Sequence, residues 1–264
     1  MMYYRPNMGY ILQESNYSVD KFRNCETLNI FSDGSYITKF RDGVGGYSAV
    51  GVVGNNITTV SYRGWSQEEP FSAILMELFG MREAISMAFM NKDIYPSINI
   101  FSDSIYTVNS IKNWIYSWRF DPKMGTYLKK SNRFHNNKKD PNSRIPSNIN
   151  LIYEIATNFL NLMTQVPNLN LFWCKGHLDS MGSIQNLSMA RKKFIEQNGI
   201  NTEERFDLNF IRYMAIYNDV ADSYAKKGIR DHVYNCNMVN AIEFVPQDIN
   251  KIAQEKITEN INFI

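Results

Sequence analysis

Apolar and polar positions change period along the chain, and the changes divide it into strands and helices. Leu28 to Ser32 is a short apolar run that ends at Asp33-Gly34 and reads as a strand. Tyr47 to Val53, small and β-branched, predicts a second strand after the glycine-rich turn 42–46, and Ile57 to Trp65 a third after Asn55-Asn56. Short turns join these three strands, so they form an antiparallel meander. A helix then follows over about 71–90, opened by Glu68, Glu69 and Pro70, with Ile74, Leu78, Met81, Ile85 and Ala88 as its buried stripe.

Ser97 to Ser102 predicts a fourth strand, ending at Asp103, before a helix over Ile105 to Lys112; Trp114 and Trp118 close that helical region. Helical spacing returns over Ile149 to Met163, and Asn168 to Trp173 reads as a fifth strand. Tyr217 to Lys227 predicts a last core helix stopped by Gly228 at its C-terminal cap, and the tail holds a further helical stretch over 247–257. The order implies an α/β fold with one five-stranded mixed sheet, strands 1–3 antiparallel, flanked by helices. We read residues 1–26 as an extension, 27–228 as one domain with no internal repeat, 178–216 as a polar, helix-leaning insertion whose charges cancel, and 229–264 as a tail.

Composition adds bounds. With 264 residues, 44% of them hydrophobic, the chain can build a large core, and a net charge of +2 confines any nucleic-acid footprint to a local patch. Such a patch lies in 121–148, where Lys123, Lys129, Lys130, Arg133, Lys138, Lys139 and Arg144 stand against Asp121 and Asp140, in a proline-marked segment that reads as loop or short helix. A solvated surface explains such a run as well as a phosphate-binding one does. Three scattered cysteines fit an intracellular protein, cytoplasmic or nuclear, and no apolar run is long enough for a membrane span. Gly43-x-Gly45-Gly46 is followed by a strand, which excludes the dinucleotide-binding reading that needs a helix there.

The chemistry centres on carboxylates. Asp33 and Asp103 are placed at strand ends, Glu77 at the edge of a helical stripe, and Asp222 on the last core helix. Each alone has an ordinary explanation: a turn for Asp33, a paired or solvated acid for Glu77, and a helix cap for Asp103. Acids that converge without basic partners repel one another, and hard divalent cations with oxygen ligands are the usual remedy.

Phe31-Ser32-Asp33-Gly34-Ser35, Met76-Glu77-Leu78, Phe101-Ser102-Asp103-Ser104, Trp173-x-Lys175-Gly176-His177 and Asn218-Asp219-x-x-Asp222 resemble, in order, the successive signatures of type 1 ribonuclease H. The resemblance spans about 28–228. It implies an RNase H-like fold. It also implies Asp33, Glu77, Asp103 and Asp222 as metal-binding catalytic carboxylates holding two Mg²⁺ ions, with Mn²⁺ as a substitute, and His177 as a proton shuttle. The implied reaction is metal-dependent cleavage of the RNA strand of an RNA–DNA hybrid, leaving 5′-phosphate and 3′-hydroxyl ends, by a monomer with no membrane attachment. Lys123, Lys129, Lys130, Arg133, Lys138, Lys139 and Lys175 become candidate nucleic-acid contacts. The alternatives are a superfamily nuclease acting on DNA and a non-catalytic hybrid-binding domain.

Three departures accompany the resemblance. Ala73 and Ile74 stand where many relatives carry a polar pair before the glutamate. His177 and Asp222 lie 45 positions apart, much further than usual. Residues 1–26 show no match to an N-terminal hybrid-binding domain.

Overall fold

Strand β1 (Thr27–Ile37) lies inside the sheet, parallel to β4 (Ser97–Ser102) on one side and antiparallel to β2 (Val44–Val53) on the other. β3 (Asn56–Ser66) continues the antiparallel meander, and β7 (Asn168–Trp173) adds in parallel to β4. In this computed structural model the described residues are 26–37, 43–66, 72–114, 118–121, 126–129, 148–177, 183–200, 206–235 and 241–243. The predicted five-stranded mixed sheet is therefore present, in the order β7-β4-β1-β2-β3, and a short sixth strand, β8 (Ala241–Glu243), pairs antiparallel with β3 at its edge. A separate antiparallel pair, β5 (Trp118–Asp121) and β6 (Thr126–Lys129), replaces the loop or short helix expected at the start of the basic segment and takes Trp118 out of the helical region. Thr126, Tyr127 and Leu128 are good strand formers, and they outweigh the flanking prolines. The extension through residue 25 and the helical stretch expected over 247–257 lie outside the described residues.

Helices cover both faces. α1 (Ala73–Asn91) and α3 (Ile149–Met163) pack with Leu28, Ile30, Ile98, Ile100, Leu169 and Leu171. α1 starts at Ala73 rather than 71, because the Ser72 hydroxyl accepts the Leu75 N–H at 3.2 Å and fixes the cap. Ile74 is 40% exposed and Met76 takes the place expected for it in the buried stripe, so the apolar face is rotated from the predicted one. The helix after β4, α2 (Ile105–Asn109), is shorter than expected and passes into a π-helical turn over Ser110–Trp114.

On the opposite face, α4 (Ile184–Asn198) and α5 (Leu208–Asn235) cover Phe31, Phe101 and Phe172. This corrects the reading of 178–216 as a polar insertion. Leu187, Ala190, Phe194, Phe206, Phe210 and Met214 are all buried in one cluster with the strand phenylalanines, although the segment's charges sum to nothing conspicuous. α4 has its own stop signals: Ser183 caps the first turn, and Gly199 at φ 66° closes the last. Asp207 receives the Phe210 N–H at 2.7 Å at the start of α5. Gly228 does not end this helix; it lies inside it. A Cβ there would stand 2.7 Å from the Arg63 carbonyl carbon, so the glycine lets α5 cross β3 backbone to backbone.

The three parallel strands also carry a repeat, against the expectation of none. Asn29-Ile-Phe-Ser-Asp33 and Asn99-Ile-Phe-Ser-Asp103 are the same five residues, and Asn170-Leu-Phe-Trp-Cys174 follows the pattern. In register the asparagines form a buried row: Asn170 donates to Asn99 at 2.9 Å, Asn99 to Asn29 at 3.0 Å, and Asn29 to the Tyr213 hydroxyl at 3.2 Å. Two residues on, Phe31, Phe101 and Phe172 stack at centroid distances of 4.8 and 5.5 Å. A one-residue slip of any strand would bury an unpaired amide, so the row pins the register. The next row is Asp33, Asp103 and Cys174. Among the described residues no helix is long and apolar enough to cross a membrane.

Candidate active site

Asp33 follows Phe31 on the same face of β1 and is buried, with 5% exposure. It is not at a strand end. β1 continues through Gly34 to Ile37 because it stays paired with β2 from Asn29 to its end, and Gly34 accepts the close approach of α1 at Met76 and Glu77, where a Cβ would collide with backbone. That approach seats Glu77 over β1, with the Gly34 N–H donating to its carboxylate. Asp103 leaves β4 one residue after the strand ends. The cap of α2 is Ser104, whose hydroxyl accepts the Thr107 N–H at 3.3 Å, so Asp103 is free of the capping role and turns to the other acids.

One carboxylate oxygen from each of Asp33, Glu77 and Asp103 lies within 4.8 Å of the others. Burial raises the Asp33 carboxyl well above its ordinary range, and the charges of Glu77, Asp103 and Asp222 add to the effect. Glu77 is raised well above its own for the same first reason, then by Asp103, against the Gly34 hydrogen bond. Asp103 is raised by burial, while His177 and a hydrogen bond from Asn218 pull it back. Asp222 is near enough to act on all three, and Lys226, one turn along α5, forms an ion pair with it. His177 stands exposed at the rim in a left-handed conformation, φ 65°, an uncommon backbone state for a residue other than glycine.

The donor set fits a hard divalent cation. Three carboxylates converge, Asp33 buried and Glu77 and Asp103 partly so, all oxygen donors, and the Glu77 Oε2 atom is itself buried with no hydrogen-bond partner. An orphaned, desolvated carboxylate oxygen aimed into a cluster of acids is an unfavourable arrangement that a cation relieves.

The RNase H family profile matches residues 25–192. The chain belongs to the RNase H family. That match covers Asp33, Glu77, Asp103 and His177 and ends inside α4, 30 positions short of Asp222, so the folded chain and not the match brings the α5 acid to the others. No curated protein matches this RNase H chain. Similar solved structures include the foamy viral protease-reverse transcriptase in complex with RNA/DNA hybrid, at 15% identity and TM-score 0.46, covering 86% of this chain. This chain spans only 22% of that viral protein. RNase H1 from the halophilic archaeon Halobacterium salinarum NRC-1 is 11% identical with TM-score 0.39, covering 78% of this chain and 98% of its own. The N-terminal RNase H domain of rv2228c from Mycobacterium tuberculosis is 12% identical with TM-score 0.42, covering 80% and 99%.

Asn218, which opens the last of the five signature blocks but has no role assigned to it there, is also a site residue. It is buried, with 1% exposure, and its side-chain amide donates to Asp33 Oδ2 at 3.2 Å as well as to Asp103. The Cys174 thiol, held protonated by burial and by the neighbouring acids, donates to Asn218 Oδ1 at 3.5 Å and so orients the amide. The signal was present in the repeat, which puts Cys174 in the third position of a carboxylate row. Of the candidate nucleic-acid contacts, Lys175 is half-buried beside His177 and Lys129 belongs to β6. Lys123, Lys130, Arg133, Lys138 and Lys139 lie outside the described residues.

Proposed function

We propose that the chain is a metal-dependent endoribonuclease that hydrolyses the RNA strand of RNA–DNA hybrids, with Mg²⁺ as the ion and Mn²⁺ as a substitute. The observation that carries this reading is the convergence of Asp33, Glu77 and Asp103 around the orphaned Glu77 oxygen in a chain of the RNase H family. These three acids would hold the cations together with Asp222, whose carboxylate is paired with Lys226. Two divalent cations, when bound, supply an activated water and charge stabilisation at the leaving 3′ oxygen. Asn218 keeps Asp33 and Asp103 aimed at the shared position. His177, at the exposed rim next to Asp103, takes or relays a proton through its imidazole as the P–O3′ bond breaks, leaving 5′-phosphate and 3′-hydroxyl ends. Lys175 and the basic segment 121–148 engage the hybrid's phosphates, and the 2′-hydroxyl marks the strand to be cut.

The test is cleavage of end-labelled RNA–DNA hybrid, duplex RNA and duplex DNA by purified protein with Mg²⁺, Mn²⁺ or chelator. Cation-dependent cutting confined to the RNA strand of the hybrid is expected. The half-exposed Ile74, an apolar group where strand-reading polar residues are expected, favours one second reading: a DNA-cleaving nuclease of the superfamily. Cutting of duplex DNA in preference to hybrid would establish that reading instead.

A further inference from the structure

β7 is an edge strand among the described residues, and side chains cap its outward peptide groups at Leu171 and Trp173. Lys112 donates to the Leu171 carbonyl at 3.1 Å. At Trp173 the cap is more complete. Asn198, buried at the last turn of α4, accepts the Trp173 N–H on Oδ1 at 2.8 Å and donates from Nδ2 to the Trp173 carbonyl at 2.8 Å. A third bond, Nδ2 to the Phe194 carbonyl at 2.9 Å, fixes the amide to its own helix. The side chain thus imitates one residue of a further strand, at the last position of β7.

Trp173 leads straight into the site. Its indole N–H donates to the Asp103 carbonyl at 2.8 Å, and the Cys174 N–H donates to the Ser102 carbonyl at 2.9 Å. Gly176 then lies against the Asp103 carboxylate so closely that a Cβ would overlap it, and His177 follows in its left-handed conformation. Asn198 lies beyond the stretch matched by the family profile, on the helix that lengthens the path from His177 to Asp222.

We propose that Asn198 is a positioning residue for catalysis: by clamping both backbone groups of Trp173 it sets the loop 174–177, and with it His177, against Asp103. The inserted helix is then a working part of the site. A misplacement of about 1 Å can cost up to a hundredfold in rate, so a loosened loop lowers kcat and leaves substrate binding largely intact.

This inference rests on the nuclease reading above, and the test separates the two. Hybrid cleavage is measured for the parent, His177→Ala, Asn198→Leu and the double variant, with Lys112→Met as a control that removes the other edge cap. Asn198→Leu is expected to lower kcat about tenfold with KM within about twofold. In its background His177→Ala is expected to cost far less than in the parent, since a histidine already out of place has little left to lose. Lys112→Met is expected to lower Tm and keep kcat. Full additivity of the Asn198 and His177 substitutions, or an equal kcat loss in Lys112→Met, overturns the proposal. If Asn198→Leu does not fold, Asn198→Asp serves under the same criterion, since it keeps the acceptor for the Trp173 N–H and loses the donor to its carbonyl. A second readout needs no turnover: hydrogen exchange of the Trp173 indole N–H is expected to speed up at least about tenfold in the Asn198 variant. A parent protein that cuts nothing defeats the nuclease reading, while unchanged indole exchange defeats the role of Asn198.

Discussion

The Asn218 side-chain amide donates to Asp33 Oδ2 at 3.2 Å, across a separation of 185 positions, and among the described residues no charged side chain hydrogen-bonds Asp33. A neutral donor holds a buried carboxylate in place without neutralising it. The negative charge of the cluster is therefore left for a cation to balance. Asn218→Asp replaces the donor by a fifth acid against Asp33. In chelator this variant is expected to lose about 2–3 kcal/mol, read as a lower midpoint in urea, because a buried donor is lost and a like charge is added. Adding Mg²⁺ is expected to recover part of the loss. A midpoint equal to the parent's in chelator would remove Asn218 from the site.

The raised Asp33, Glu77 and Asp103 carboxyls set a direction for pH dependence. The native state binds these protons more tightly than the unfolded chain. Between ordinary carboxylate values near 4 and the raised native values it therefore carries more protons, and stability falls as pH rises through that window. In chelator, Tm is expected to decline from about pH 5 towards pH 8. With Mg²⁺, which binds only the deprotonated acids, the decline is expected to flatten or reverse. Identical Tm profiles with and without the cation would show that these acids do not hold it.

Asp103→Asn follows from the same cluster. Removing one of several mutually repelling acids is expected to abolish hybrid cleavage and yet raise Tm in chelator at pH 8, a stability gain at the expense of function. Turnover equal to the parent's would exclude Asp103 from the metal-binding set.

How far the sequence spoke depended on whether a residue's role was local. β4, α3 and β7 have the ends read from periodicity alone, because an apolar run bounded by turn residues is itself the signal. The convergence of Asp33, Glu77 and Asp103 followed from a family resemblance, and Asp222 from the same source despite the long path to it. What stayed hidden was long-range. Asn218 matters through Cys174 and two carboxylates, one on β1 and one just past β4, and Asn198 matters through the backbone of β7. The helical leaning of 178–216 was legible, but the buried face of α4 was hidden by its polar outer one. Even the Asn-Ile-Phe-Ser-Asp repeat, plain in the sequence, has meaning only when β1 and β4 lie side by side in register.

Gly228 shows the same limit and carries a prediction. In an isolated helix, replacing an interior glycine by alanine stabilises by up to about 1 kcal/mol. Here the added Cβ would meet the Arg63 carbonyl group at 2.7 Å and Gly64 N at 3.0 Å, all backbone of β3 that cannot swing aside. Gly228→Ala is expected to destabilise by about 1–3 kcal/mol, against the helix propensity. A midpoint in urea at or above the parent's would mean that α5 can lift from β3 at little cost.

The basic segment is the proposed grip on the hybrid. If Lys129, Lys130, Lys138 and Lys139 neutralise phosphates, each contact releases about one counterion, and the affinity for hybrid falls steeply with salt. Changing these four lysines to glutamine is expected to weaken hybrid binding and flatten the plot of log affinity against log salt by up to about 3–4 units, measured on the Asp103→Asn protein so that no substrate is consumed. A slope equal to the parent's would assign the segment to solvated surface and leave Lys175, beside His177, as the cation that meets the hybrid.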